Sequence, residues 1–390
     1  MKVVFVSNFL NHHQLPMCEA FCAHEDAEFV FVACEKISED RINMGYADMN
    51  TAYDFVVRAY ENEAEAMRIA TEFDVVIFGA APTRYLEARM VKQKISFRFC
   101  ERSLKKGTWR RFIPRTAKKI KEGYTAYKNA HLFILASSAF ASSDLVLCGF
   151  DPNKCFKWGY FPEVGQRSKE DLLAQKRCGG KFNVLYAGRL LKLKRVIDTV
   201  KAVERLVNSG KGNITFTIIG DGEEKANIAS YIEKRGLKSH IEFLPFVPSD
   251  KVREYMDSAD AFVMGSDFHE GWGAVVNEAM SSCCVPIVSH AVGSAAYLVS
   301  NGKNGFVYPM GNAKAIECCL RSIIDDYNFQ KSMAIAAYKT VTETWCAPVA
   351  VDRFVEFCEK INSTGSYKSE HESGPMSQAQ VIKNDWIKKI

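Results

Sequence analysis

A chain of 390 residues, 47% apolar and 25% charged, is too long for one ordinary core, and no run approaches the roughly 20 apolar residues a bilayer span needs. Thirteen cysteines are scattered without CxxC pairs, which argues against a zinc site or a disulfide framework and for reduced thiols in a cytoplasmic protein. The net charge of +5 is uneven, since Arg84 to Lys128 holds fifteen Lys/Arg against three Asp/Glu and leaves the remainder acidic.

The first apolar block, "KVVFVSN" (2–8), is too short for a secretory signal and reads as a strand. "EFVFVAC" (28–34), "DVVIFGA" (74–80), "ISFRFC" (95–100) and "HLFILAS" (131–137) follow it. These runs are β-branched and aromatic and lack polar alternation, as expected of strands buried on both faces. The helix-forming stretches between them predict parallel strands with crossover helices. His12 and His13 fall in the loop after the first strand, and Glu101 follows the fourth run. The basic run "RSLKKGTWRRFIPRTAKKIK" (102–121) carries nine cations and no acid, with Trp109, Phe112 and Ile113 interleaved. Lys105, Lys106, Trp109, Arg110, Arg111 and Arg115 would form a patch suited to anionic lipid headgroups. Nucleic acid attracts the same charges, but no aromatic-rich recognition motif accompanies them, so it is not expected as a partner.

Pro152, Pro162 and the "CGG" of 178–180 mark a linker, placed at 166–180, which closes an N-terminal domain of residues 1–165. The alternation then restarts with "FNVLYAG" (182–188), residues 213–220, "IEFLPF" (241–246), "AFVMGS" (261–266), "VPIVSH" (285–290) and "GFVYPM" (305–310). This predicts a second domain over 181–345 and a closing helix over 346–362. The polar, Ser-rich residues 363–390 are expected to be disordered, with Ile382, Trp386 and Ile390 at helical spacing giving a weakly amphipathic end. The fold class is α/β: two doubly wound parallel-sheet domains facing each other across a cleft, with ligands outside the carboxyl ends of the strands.

Three motifs follow strands in the second domain. In "YAGRLLKLK" (186–194), Gly188 permits a tight turn, and Arg189 and Lys194 suit a diphosphate, one as a fork and the other as a point charge. "IIGDGEEK" (218–225) has Gly220 and Gly222 but lacks the third glycine of a nicotinamide fingerprint. "DFHEGWGAVVNEAM" (267–280) reads as a helix starting near Gly273, whose first amides and dipole form an anion site. Gly271, Trp272, Gly273, Ala274 and Val275 line it. Glu270 and Glu278 flank it at a separation of about 12 Å at most, and a carboxylate accepts two hydrogen bonds from a vicinal diol.

Together these residues resemble the retaining glycosyltransferases of family 4, which have the GT-B fold, in their bacterial surface-polysaccharide branch. The E-x7-E motif is similar to Glu270–Glu278, "GRL…K" to Gly188, Arg189 and Lys194, and "IGDG" to 219–222, with the likeness running over 181–311. The resemblance implies a nucleotide-diphospho-sugar donor, with a UDP-sugar favoured, and a hydroxyl acceptor on a glycan that is lipid-linked. Anomeric configuration would be retained, with no metal and no further cofactor. Arg189 and Lys194 would hold the leaving diphosphate, Glu278 the ribose, Glu270 the sugar, and the amides near Ala274–Val275 the phosphate. Localisation would be cytoplasmic and peripheral at the inner membrane face. The chain departs from the family at Arg195 and Cys283, where glycine is usual. It also shows Glu101 and Arg102 where several members place a sugar-contacting histidine, a role His12 or His13 could fill. A nucleotide-sugar epimerase of the same fold and a non-catalytic nucleotide- or nucleic-acid-binding module are the remaining readings.

Overall fold

Valine, isoleucine and phenylalanine dominate the apolar runs, and their stiff or bulky side chains suit a pleated sheet covered on both faces. In the computed structural model, which describes residues 1–38, 42, 47–165 and 167–389, these runs form two parallel sheets in two units. One unit comprises Met1–Pro162 and Trp345–Ile382, the other Glu163–Thr344 and Lys383–Ile390.

The sheet of the first unit contains β1 (Lys2–Ser7), β2 (Glu28–Ala33), β3 (Val56–Arg58), β4 (Val75–Phe78), β5 (Ser96–Cys100), β6 (Leu132–Ala136) and β7 (Cys155–Lys157). Their order is β3-β2-β1-β4-β5-β6-β7, so the first strand made is an inner one. Val3 to Val6 are fully buried there. β3 and β7 are additions to the strands expected from sequence. The Ala347–Thr364 helix belongs to this unit, where Phe354 packs on Phe97 at 4.7 Å and Phe357 on Phe156 at 4.5 Å.

The sheet of the second unit contains β8 (Phe182–Ala187), β9 (Ile214–Ile219), β10 (Ile241–Leu244), β11 (Ala261–Met264), β12 (Val285–Ser289) and β13 (Phe306–Tyr308), in the order β10-β9-β8-β11-β12-β13. The order reverses at β8, so the loops leaving β8 and β11 part at that point. Open α/β sheets bind ligands at such a switch.

Two expectations are corrected. Residues 166–180 are not a free linker: Gln166 lies outside the described residues, but Lys169–Ala174 is a helix capped by Ser168. Lys176 is buried with its ammonium donating to the carbonyls of Met256, Asp257, Ala259 and Ser282. Nor are residues 363–380 disordered. Gln378 bridges to Phe156, Met376 and Ser377 are fully buried, and Gln380 accepts from the Ser142 hydroxyl. Backbone pairing with Lys157 and Cys155 compensates for the polar composition there. Of the three residues at helical spacing at the end of the chain, Ile390 lies outside the described residues, and Trp386 opens a 3-10 helix, Trp386–Lys389.

Candidate functional site

The loops after β8, β9 and β11 bring most of the sequence-derived residues of the second unit together. Gly188 takes φ +148°, and the turn after β9 locks onto it. A Cβ on Gly220 would meet the Gly188 carbonyl oxygen at 2.1 Å, and one on Gly222 the Leu190 oxygen at 2.5 Å. These two glycines therefore admit the close approach of the chain's own backbone. Leu190 N–H donates to the Asp221 carbonyl at 2.8 Å, and Glu224 N–H to Leu190 at 3.0 Å. The effect is to fix the loop that carries Arg189 and Lys194.

Arg189 is exposed, and no carboxylate pairs with it among the described residues. Its carbonyl accepts from the Tyr186 hydroxyl at 2.9 Å. Burial, reinforced by the nearby Glu270 carboxylate, raises the Tyr186 phenol well above its ordinary range, so it stays a neutral donor. Lys194 is largely buried and donates to Glu270 Oε2 at 2.5 Å, and Ser266 Oγ donates to the same oxygen at 2.9 Å. The acid preceding the glycines is thus held by one cation and one hydroxyl. Ser266, fully buried two residues past β11, was not singled out from sequence. Its one signal was a small polar residue closing an apolar run.

The helix after β11, read from sequence as starting near Gly273, runs Val275–Ser281, and Ala274 caps it. Its first turn closes with Val276 N–H on the Gly273 carbonyl at 2.9 Å. Seven residues sum to little dipole, so the helix tip is a weaker anion site than the spacing suggested. Gly273, at φ +84°, lies where a Cβ would press on Met264 at 2.9 Å. Gly271 is buried, and Trp272 is 1% exposed with its indole N–H on Asn277 Oδ1 at 2.8 Å. Trp272 is therefore a core residue and is withdrawn from the ligand-lining set: an aromatic beside glycines reads equally as platform or plug.

Glu278 sits half-buried on this helix. No donor reaches its carboxylate among the described residues, while its carbonyl accepts from Arg253 Nη1 at 2.7 Å. Burial raises its pKa, against the pull of Arg253. Arg253, which also donates to Ser281 Oγ at 2.5 Å, is a second residue the sequence did not reveal. A hollow of about 440 Å³ on β8–β10, lined by Asn183, Thr215, Thr217 and Glu242, involves none of these side chains.

In the first unit, the ends of β1, β5 and β7 assemble a second polar group. His12 and His13 rings lie 3.9 Å apart, and His13 is 5.8 Å from Tyr160. Tyr160 donates to Glu101 Oε1 at 3.1 Å, and Lys105 to Oε2 at 2.6 Å. Burial, then His12, lowers His13 to about 4, which keeps it neutral. The basic patch is partly reassigned. Arg102 is buried against Asp144 at 3.2 Å and over the Phe140 ring, and Lys105 is paired. Lys106 and Arg115 are exposed, as are Trp109 at 61% and Phe112 at 73%, with the Arg110 and Arg111 guanidiniums over those two rings.

Among solved structures, Anabaena Alr3699/HepE in complex with UDP is similar at TM-score 0.69 and 16% identity, covering 92% of this chain and 100% of that one. The lipopolysaccharide outer core galactosyltransferase WaaB is similar at TM-score 0.56 and 15% identity, over 87% and 98%. This likeness establishes the GT-B fold. Among curated proteins, the lipopolysaccharide core biosynthesis glycosyltransferase LpsE of Rhizobium meliloti is 24% identical over 44% of this chain and 48% of its own length. The amylovoran biosynthesis glycosyltransferase AmsK of Erwinia amylovora is 24% identical over 53% and 50%. The chain spans about half the length of these two relatives. The segment carrying every loop of the second unit's site, residues 168–340, matches the family model described as glycosyl transferases group 1.

Proposed function

We propose that the chain is a group 1 glycosyltransferase, a metal-independent retaining hexosyltransferase that uses a nucleotide-diphospho-sugar and needs no further cofactor. The observation that carries this reading is Glu278, a desolvated carboxylate with no donor among the described residues. A ribose diol supplies two donors to such a group. The exposed Arg189 is the cation free to receive a diphosphate, while Lys194 reaches it by sharing or leaving Glu270. In the step itself the bond from the anomeric carbon to the diphosphate oxygen breaks, and the acceptor hydroxyl oxygen bonds to that carbon on the same face. The hydroxyl proton passes to the departing oxygen. Glu270 is engaged by Lys194 and Ser266, which argues against its use as a free base and for this internal transfer. The cations answer the charge that develops on the leaving group.

The amides near Ala274–Val275 and the backbone of Gly188 and Gly273 contribute contacts to the phosphates in this reading. Uridine is the favoured base, given the UDP bound by the similar HepE. The acceptor is a glycan hydroxyl in surface-polysaccharide synthesis, as the names of LpsE and AmsK suggest, and His12, His13 and Glu101 are candidates to contact it or the sugar. A lipid-linked acceptor fits the aromatic and basic patch, and with it a peripheral position at the inner membrane face. No helix among the described residues is long and apolar enough to cross a membrane.

Arg189→Ala is expected to lower turnover by about a hundredfold with little change in the melting temperature. Steady-state transfer from a panel of labelled UDP-sugars, run beside thermal unfolding with each donor, is the measurement. Unchanged turnover in this variant, or no donor that protects the protein, removes the assignment.

A further inference from the structure

The last residues of the chain return to the second unit and dock on the loop after β12. Trp386 donates its indole N–H to the His290 carbonyl at 3.0 Å. His290 joins four hydrogen bonds and one ring contact. Its backbone N–H donates to Tyr308 O at 2.9 Å, and its Nδ1 accepts from Met310 N–H at 3.1 Å. Its Nε2 meets the Asn384 carbonyl at 3.0 Å, and its ring stands edge-on to Phe268 at 5.3 Å and 88°. The partners fix the tautomer: Nδ1 faces a donor and Nε2 a carbonyl, so the proton is on Nε2. A second proton on Nδ1 would point at the Met310 N–H, and burial disfavours it further. Phe268 precedes Glu270 by two residues in the loop whose acid is bound by Lys194 and Ser266.

The geometry points to a positioning role for the C-terminal segment. Trp386 and Asn384, acting through His290, hold the 267–273 loop in the shape that presents Glu270. The inference rests on the donor reading of that loop and adds to it residues that touch no substrate. Nothing in the sequence signalled it, because Trp386 and His290 are 96 positions apart.

The segment adds little to the core, since Asn384 and Asp385 are exposed and Trp386 is half-buried. Its loss is therefore expected to loosen one loop and leave the unit folded. The test compares the full chain with Trp386→Ala and with a chain ending at Ile382, following amide hydrogen exchange over 267–273 with and without UDP. Exchange there is expected to rise about tenfold in both variants, with β8 and β12 unchanged. The KM for a UDP-sugar should rise by a similar factor and kcat change less. Equal exchange over 267–273 in all three proteins overturns the proposal whatever UDP does. Faster exchange in the variants supports it, and if UDP then protects none of the three proteins, the donor reading fails while the positioning role stands.

Discussion

Arg195 and Cys283 hold left-handed backbone positions, with φ of +52° and +55°. These are the two places where the resembled family usually has glycine, and glycine alone enters that region without a steric cost. Each side chain stores about 1 kcal/mol of strain there. Arg195 recovers some of it by donating to the buried Asp198 carboxylate at 2.7 Å. Cys283 is fully buried, so its thiol adds packing. A valine at either position would add a β-branched clash. Glu278 shows the converse, a carboxylate whose burial costs stability with no donor to offset it among the described residues. Burial penalises its ionised form, so the raised pKa costs nothing below the ordinary carboxylate range and the full amount above the raised value. Glu278→Gln is expected to raise the melting temperature by about 2–4 °C at pH 7, with the gain vanishing near pH 4. Affinity for UDP should fall about tenfold. Melting curves at both pH values and a titration with UDP check the two halves together. The paired acids, Arg189 and Lys194 were legible because their types and order carry chemistry. Ser266 and Arg253 were not, because a serine just past a strand and an arginine on a polar helix look ordinary until their partners are placed.

Lys176 illustrates how elements are fastened to one another. Its ammonium gathers carbonyls at the end of the Ser249–Ser258 helix and just past the Val275–Ser281 helix. Positive charge is favourable at such carbonyl ends. Arg177 follows with hydrogen bonds to Gln330, Ile323 and Ile324. Lys176→Met keeps the aliphatic stem and removes the donor common to four carbonyls, of which Met256 and Ala259 keep another and Asp257 and Ser282 lose their ammonium partner, so a loss of about 2–4 kcal/mol from the second unit is expected, read as a lower denaturant midpoint at unchanged slope. Composition marked this stretch as a linker because its partners lie 80 to 106 positions away. The same limit hid β3 and β7, three residues each: too short to show a period, they exist because a neighbouring strand offers a paired edge. The six strands of the second unit were readable because each is an apolar run bounded by turn residues.

At the scale of the molecule, the charge asymmetry predicts behaviour that no single site does. Trp109 and Phe112, exposed among Lys106, Arg110, Arg111 and Arg115, should bring the protein down with anionic vesicles at low salt and release it as salt rises. Trp109→Ser with Phe112→Ser is expected to weaken sedimentation about tenfold while leaving UDP affinity intact. Sedimentation of the double variant equal to that of the unmodified chain would detach the patch from membranes.

The ownership of the Ala347–Thr364 helix has a consequence for the order of events at the ribosome. Phe354 and Phe357 supply rings beneath Phe97, Phe133 and Phe156, yet they leave the ribosome only after residues 163–344 have emerged. The later unit can therefore settle first, while the earlier one waits with part of its aromatic floor missing. Residues 163–344 made alone should give a cooperative melt, and residues 1–162 made alone should bind a hydrophobic dye and aggregate. Nascent first-unit chains would then depend on whatever shields apolar surface during synthesis for as long as the second unit takes to be made.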